Sequence, residues 1–481
     1  MLVYVFSAIL LLSPLLQAVF DLPLQLAFQQ AALLAFLAWL FLSSRAGALP
    51  DIFAGKFRLL WCAAAFSFLS LLLSPFKGYI FNEWGNYAAG LLIYIYSSFL
   101  GGKERRKIDG AVVAGAWLVM ALSLAQAFIL QDFTRHPPFT NLNALALYAV
   151  MIFPLALERR SWALAAAMSI LVIWTQSLGA VLAGLAGAGY YSYSKIKSGE
   201  RAENKWILAL LLALVIPMFY MLQADSMAGR LTWWKSAWEM FASRPLTGFG
   251  YAAYTWAQAG FQAPGVFREH AIYAHNYYLE FLAENGVFAA AAWFCFLAGA
   301  VRSRKGLVKY AVIAVLVHSV MDFGLSVPAD LWLFCYLLAE PPQENAAVKP
   351  ARAYAMLAII VVLLEAAVLL LDAKSIAFER ARRDALAASS GGDPAGAEAQ
   401  LGPYLGNRLF REPALEFLGR LNMAKEAGPD KGFSSAVYYE MALLENPYSP
   451  EAWRALERIY SAPGLERAAA GLAARKAEVY K

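Results

Sequence analysis

The stretch YAHNYYLEFLAENG, Tyr273–Gly286, decides how this chain is built. Its first residues close a polar segment, and its last open an apolar run that continues to about residue 300. A helix needs about 20 consecutive apolar residues to cross a bilayer, and this run supplies them. Read outward from there, the pattern repeats. Of 481 residues, 60% are hydrophobic and only 15% charged, with a mean hydropathy of +0.52. Soluble domains carry about a quarter charged residues. The fold expected is therefore all-α, a polytopic membrane bundle of about 12–13 transmembrane helices over residues 1–371. A large extracytoplasmic loop at 223–275 interrupts it, and a soluble helical domain, 372–481, follows it.

Spans are expected near 1–20, 23–42, 59–75, 85–101, 108–131, 140–157, 161–175, 177–194, 206–222, 276–300, 307–324, 329–339 and 353–371. The opening stretch MLVYVFSAILLLSPLLQAVF lacks a charged n-region and a small-residue cleavage site, so it reads as a retained first helix. Cations test the alternation. Loops on one side hold nineteen Lys and Arg, among them Lys103, Arg105, Arg106, Lys107, Arg302 and Arg304. Loops on the other hold only Lys77, Arg135, Arg230, Lys235, Arg244 and Arg268. The positive-inside rule then places 223–275 and the tail together on the outer face, the periplasm if the cell is Gram-negative. It also explains the net charge of +6 without nucleic acid. Cys62, Cys295 and Cys335 lie alone in apolar runs, which is neither a disulfide framework nor a metal spacing, and all three read as small core residues.

The tail is Ala-rich, charged and helical in period, with turn signals at Ser389–Pro394, Gly428-Pro429 and Asn446-Pro447. Tyr439, Ala442 and Pro447, then Trp453-x2-Leu456-x3-Tyr460, look like a junction between two tetratricopeptide repeats, although Glu457 stands where a small residue is usual. A generic helical hairpin is the alternative reading of these residues. Either form suits the binding of a protein partner.

The loop concentrates the chemistry. Arg230, Lys235, Arg244, Arg268, His270 and His275 face only Asp225, Glu239 and Glu269, among many aromatic residues. Such a surface suits an anionic, partly apolar ligand gripped by guanidinium groups, or anchoring to lipid head groups. His275 is placed to take a proton from a hydroxyl arriving from outside, or only to cap the helix. Asn276, Glu280 and Glu284 share one helix face at i, i+4, i+8, and Asn276 and Glu280 are expected to line a substrate cavity. His318 and Asp322, also i, i+4, are ionisable groups at membrane depth and so line a polar cavity or satisfy each other. Asn141 and Asn143 line that cavity or join helices through their amides.

The order of these features resembles the bacterial O-antigen ligase and O-antigen polymerase family. Arg230 with Trp233 and Trp234 is followed by RPLTGFGYAAY, 244–254, and then by His275-Asn276, nine residues and Gly286. Upstream, Phe139, Asn141 and Asn143 look like that family's Phe-x-Asn-x-Asn start of a membrane helix. The resemblance covers roughly 130–325. It implies transfer or polymerisation of a glycan from a polyprenyl-diphosphate carrier onto an acceptor hydroxyl, with no metal and no cofactor. It also implies His275 as the acid–base residue and Arg230 as the diphosphate ligand. The acceptor is a glycan, lipid A–core or, in protein O-oligosaccharyltransferases of the same family, a protein. One departure stands out. Thr175-Gln-Ser-Leu-Gly179 has Leu178 where many members carry a second Arg, and Arg268 or Arg244 is expected to substitute. A transporter or flippase of lipid-linked oligosaccharide is the competing reading. Its inverted repeat with paired broken helices is not visible.

Overall fold

The computed structural model describes residues 2–46, 50–130, 138–139, 141–198, 224–262, 271–340, 352–425 and 433–480. The expected ninth span, 206–222, lies outside them. The described chain is all-α. The bundle contains α1 (Leu2–Leu12), α2 (Leu22–Arg45), α3 (Arg58–Leu72), α4 (Lys77–Ser97), α5 (Gly102–Ala125), α6 (Leu142–Glu158), α7 (Trp162–Trp174) and α8 (Leu178–Lys197). After α9 (Ala224–Ser243) come α10 (Tyr277–Ser303), α11 (Val308–His318), α12 (Pro328–Leu338) and α13 (Arg352–Ser390). Within 223–275 the described residues form a helix, α9, followed by a turn that carries the single helical turn Tyr254–Ala257.

Length and burial distinguish among the expected spans. Among the described residues four helices are long and apolar enough to cross a membrane: Leu22–Arg45, Gly55–Leu72, Gly102–Ile129 and Tyr277–Ser303. α11 and α12 have 11 residues each, so each rises only about 16 Å against a hydrocarbon core of about 30 Å. Every residue of α12 is buried. It packs against α4 and α6 and meets no lipid along its length, so the expected twelfth span is a half-length core helix. Helices in lipid gain little from apolar burial and associate through close packing and internal polar contacts. Both occur here. Trp332 Nε1 donates to Asn86 O at 2.9 Å, and Trp293 Nε1 to Tyr277 Oη at 2.9 Å. Leu34, Phe66, Leu118 and Ile170 are exposed on the outer wall of the bundle. Cys62 and Cys295 are exposed there too, so only Cys335 is the core residue expected of all three.

One end of the bundle is sewn shut by arginines. Arg105 donates to Ala339 O at 2.8 Å, and Arg304 Nε donates to Leu337 O at 2.8 Å while its Nη1 meets Glu340 at 3.1 Å. Arg159 pairs with Asp109. The carbonyls at the C-terminus of α12 need such donors.

α13 runs through the expected domain boundary at 371/372. Its 39 residues rise about 58 Å, roughly twice the hydrocarbon thickness. Asp372 accepts from Gln30 Nε2 at 2.7 Å, so residue 372 still lies against the bundle. The same helix carries the chain on to α14 (Pro394–Leu405), α15 (Arg411–Lys425), α16 (Phe433–Glu445), α17 (Pro450–Tyr460) and α18 (Glu466–Val479), each packed on its predecessor or successor. Tyr439, Ala442, Trp453 and Leu456 form the core of these hairpins. Glu457, the departure from the repeat pattern, points outward to Lys476 at 2.6 Å.

Candidate active site

The helix start at Tyr277 explains the His–Asn pair. Asn276 is the N-cap, with extended backbone and its Oδ1 accepting from Leu279 N at 3.1 Å. His275, one residue earlier, has φ +51, a conformation that costs a non-glycine residue energy and is kept where surroundings enforce it. Trp234 Nε1 donates to His275 O at 3.2 Å. Trp233 stacks on the imidazole with centroids 4.8 Å apart and 25° between planes. Phe323 meets its edge at 4.8 Å. The cap is therefore Asn276, and the imidazole, 20% exposed, is free of that duty.

Asp322 stands 3.3 Å from His275 Nδ1, an ion-pair distance without the alignment of a good hydrogen bond. Its Oδ1 also accepts from Phe323 N at 2.9 Å. The loop holding it is fastened to the start of α10, where Tyr277 N donates to Ser319 O at 2.9 Å. A carboxylate at Nδ1 leaves Nε2 as the working nitrogen. α11 ends at His318, no hydrogen bond joins His318 to Asp322 among the described residues, and Asp322 faces His275. His318 is fully buried with neither ring nitrogen hydrogen-bonded among the described residues. Its ring lies where a Cβ on Gly179 would approach it to 3.2 Å.

Glu280, expected at a substrate cavity, and Glu284 both accept hydrogen bonds from neighbouring loops. Glu280 accepts from Ala274 N at 2.6 Å and from Ser326 Oγ at 2.5 Å. One carboxylate thus ties the residue before His275 to the loop after Asp322. Glu284 accepts from Tyr254 N at 3.0 Å and anchors the preceding turn. Gly286 completes that anchorage. With φ +73 it breaks the helical path inside α10, and a Cβ there would fall 2.3 Å from Leu246 O. The turn lies backbone to backbone on the broken helix, through Phe249 N to Ala283 O at 3.2 Å, Gly250 N to Glu284 O at 2.6 Å and Val287 N to Pro245 O at 2.9 Å. The nine-residue spacing from Asn276 to Gly286 sets where this break falls, about two and a half turns into the helix.

Arg230 is 7% exposed on α9, one turn ahead of Trp233 and Trp234. Burial lowers its proton affinity and the negative charge of Asp322 offsets part of that. Asp322 thus links the imidazole and a guanidinium. Arg244 is engaged elsewhere, donating to Leu73 O at 2.9 Å and lying 5.4 Å from the Phe249 ring centroid and 5.9 Å from that of Tyr448. Arg268 lies outside the described residues. Asn141 caps α6, accepting from Asn143 N at 2.7 Å, and Asn143 follows half-buried in the first turn. Leu178, half-buried, opens α8 beside Gly179 and hence beside His318. Among the described residues no group of three or more His, Cys, Asp or Glu is disposed to hold a metal ion.

The sequence motifs did not reveal Phe323, Tyr254 or Ser326 as parts of the site. Nor did they reveal that the tail reaches it. Tyr448 meets Phe249 at 5.0 Å, and Tyr480 meets Phe261 at 5.1 Å, between ring centroids.

Residues 115–294 match the family model described as O-antigen ligase. The match includes Arg230, the turn and His275, and stops before Asp322 and the tail. No curated protein matches the chain.

Proposed function

We propose, from the premise that residues 115–294 belong to the O-antigen ligase family, that this membrane protein is a glycosyltransferase using a polyprenyl-diphosphate-linked donor. Membrane glycan transfer in general follows from the family. The donor, the residues and the outer-face orientation are the proposal. The observation that carries it is the convergence of a strained, aromatic-stacked His275, Asp322 at 3.3 Å and buried Arg230 at one end of the bundle.

The chemistry is a substitution at the anomeric carbon. The acceptor hydroxyl gives its proton to His275 Nε2 as its oxygen attacks that carbon. The carbon–oxygen bond to the diphosphate breaks, and the electron pair leaves with the polyprenyl diphosphate. Arg230 meets the charge that develops there, where burial keeps water from screening it. Asp322 holds Nδ1 and stabilises the imidazolium that forms.

The test is transfer by the purified chain in nanodiscs, supplied with a polyprenyl-diphosphate oligosaccharide and candidate glycan, lipid A–core and protein acceptors. A new glycosidic bond together with released polyprenyl diphosphate supports the proposal. Movement of intact lipid-linked oligosaccharide across vesicles, with no new bond, sinks it in favour of a flippase.

A further inference from the structure

The helical tail is docked onto the roof of the site at several independent points. Tyr79, at the start of α4, donates its hydroxyl to Glu416 of α15, and Ser449 donates to the same carboxylate. A Cβ on Gly78 would fall 2.2 Å from Leu409 O, and one on Gly260 would fall 2.4 Å from Tyr480 Oη. Neither glycine has a positive φ, so each is spent on close approach of the tail. Tyr480 Oη in turn donates to Tyr448 O at 3.0 Å, locking the two tail rings together. Those rings, with Phe249 and Phe261, form one apolar cluster that also holds Tyr254 and Trp233.

This cluster has a route to the imidazole. The turn 249–261 has the tail on one side and α10 on the other. From it Tyr254 sends its N–H to Glu284 and its hydroxyl to Trp233 O at 3.1 Å. Trp233 is the ring that stacks on His275. A shift of the turn is therefore a shift of the surface on which the imidazole rests.

We propose that Tyr448 and Tyr480 of the tail are positioning residues for His275, acting through the 249–261 turn, Tyr254 and Trp233. The reading of His275 as the acid–base residue is assumed; the mechanical link is not dependent on it. The tail so placed is a working part of the catalytic head. Removing its hold leaves donor binding at Arg230 intact and moves the imidazole out of line, and misplacement on the scale of an ångström costs roughly a hundredfold in rate.

The experiment uses the full chain in nanodiscs with three variants, Tyr480→Ala, Gly260→Val and Tyr480→Phe. Steady-state transfer and hydrogen–deuterium exchange of segments 249–261 and 271–276 are both measured. Tyr480→Ala and Gly260→Val are expected to raise exchange in both segments. They are also expected to lower kcat by roughly ten- to a hundredfold, with KM for the lipid donor within about twofold. Tyr480→Phe keeps the ring and is expected to stay within about threefold of the parent in kcat, because it removes only the single hydrogen bond to Tyr448 O. Faster exchange in 249–261 with 271–276 unchanged overturns the link, as does unchanged exchange in both. Parent-level kcat in a chain whose two segments exchange faster also overturns it. Should the parent form no glycosidic bond, the proposed function fails and the exchange data alone still decide the link.

Discussion

The two ends of the bundle use the same residue types for different ends. At one end Arg105, Arg159 and Arg304 are consumed by partners: carbonyls at the end of α12, Glu340 and Asp109. Each charge there finishes a helix terminus or an ion pair. At the other end Arg230 is buried on α9 with Asp322 as its electrostatic counterweight, and His275 is held in a costly backbone conformation by two tryptophans. Groups at the first end are arranged for stability. At the second the backbone is satisfied in detail by Asn276, Glu280 and Glu284, while the imidazole of His275 is kept partly open. A site is recognised by that asymmetry: rigid support around a group that is itself left available.

The sharpest way to break the comparison is at its two central residues. His275→Ala and Arg230→Ala are each expected to lower kcat for transfer by about 10²–10⁴-fold, the range for losing a general base or a charge-stabilising donor. Thermal unfolding of the purified variants, followed by tryptophan fluorescence, is expected to stay close to the parent. Asp322→Asn comes next, with a loss of about 10²-fold in kcat and little change in KM, since the ring stays but its orienting charge is gone. Glu280→Gln sharpens the contrast between support and chemistry. It weakens the tie from Ala274 to Ser326, so a moderate fall in kcat should accompany a stability loss of about 1–3 kcal/mol in denaturant titration. Arg304→Ala, at the opposite end, should cost a similar stability by leaving Leu337 O without its donor, and leave kcat within about threefold.

The smallest effect concerns pH and the tail. Burial, reinforced by the charge of Glu451, pushes Glu416 up to about 7 from an ordinary 4.5. A carboxyl raised in the folded state stabilises docking fully below about 4.5, and that contribution is lost as pH rises through about 7. The unfolding midpoint of the tail, followed by hydrogen–deuterium exchange of α15, should therefore fall between pH 5 and pH 8. Glu416→Gln should flatten that dependence. A midpoint that rises with pH would contradict the assignment.

Much of this was legible in the chain, and the rest was not for physical reasons. Apolar runs and the distribution of Lys and Arg marked the bundle, because lipid leaves helices as the economical way to satisfy a backbone. Hydropathy could not separate a lipid-facing span from α12, whose 11 residues are sheathed on every side. The order Arg230, Pro-Leu-x-Gly-x-Gly turn, His275 and Gly286 pointed to the site because each element has a strict backbone task. What periodicity could not supply was where side chains end. Spacing put His318 and Asp322 together but could not show that α11 stops at residue 318 and that the carboxylate also reaches His275. Arg244 was a candidate phosphate ligand, and its contacts with Leu73 O and two aromatic rings could not be read from the chain. The tail read as an appendage because its contacts with Tyr79, Gly78 and Gly260 join residues hundreds of positions apart.

The most direct measurement is single-turnover transfer from a polyprenyl-diphosphate oligosaccharide, run side by side on His275→Ala and Arg304→Ala, with unfolding midpoints taken on the same preparations. The account predicts that His275→Ala loses at least about a hundredfold in rate at a parent-like midpoint. Arg304→Ala is predicted to keep the rate and lose stability. Parent-rate transfer by His275→Ala, or a collapse of chemistry in Arg304→Ala with stability intact, would contradict it.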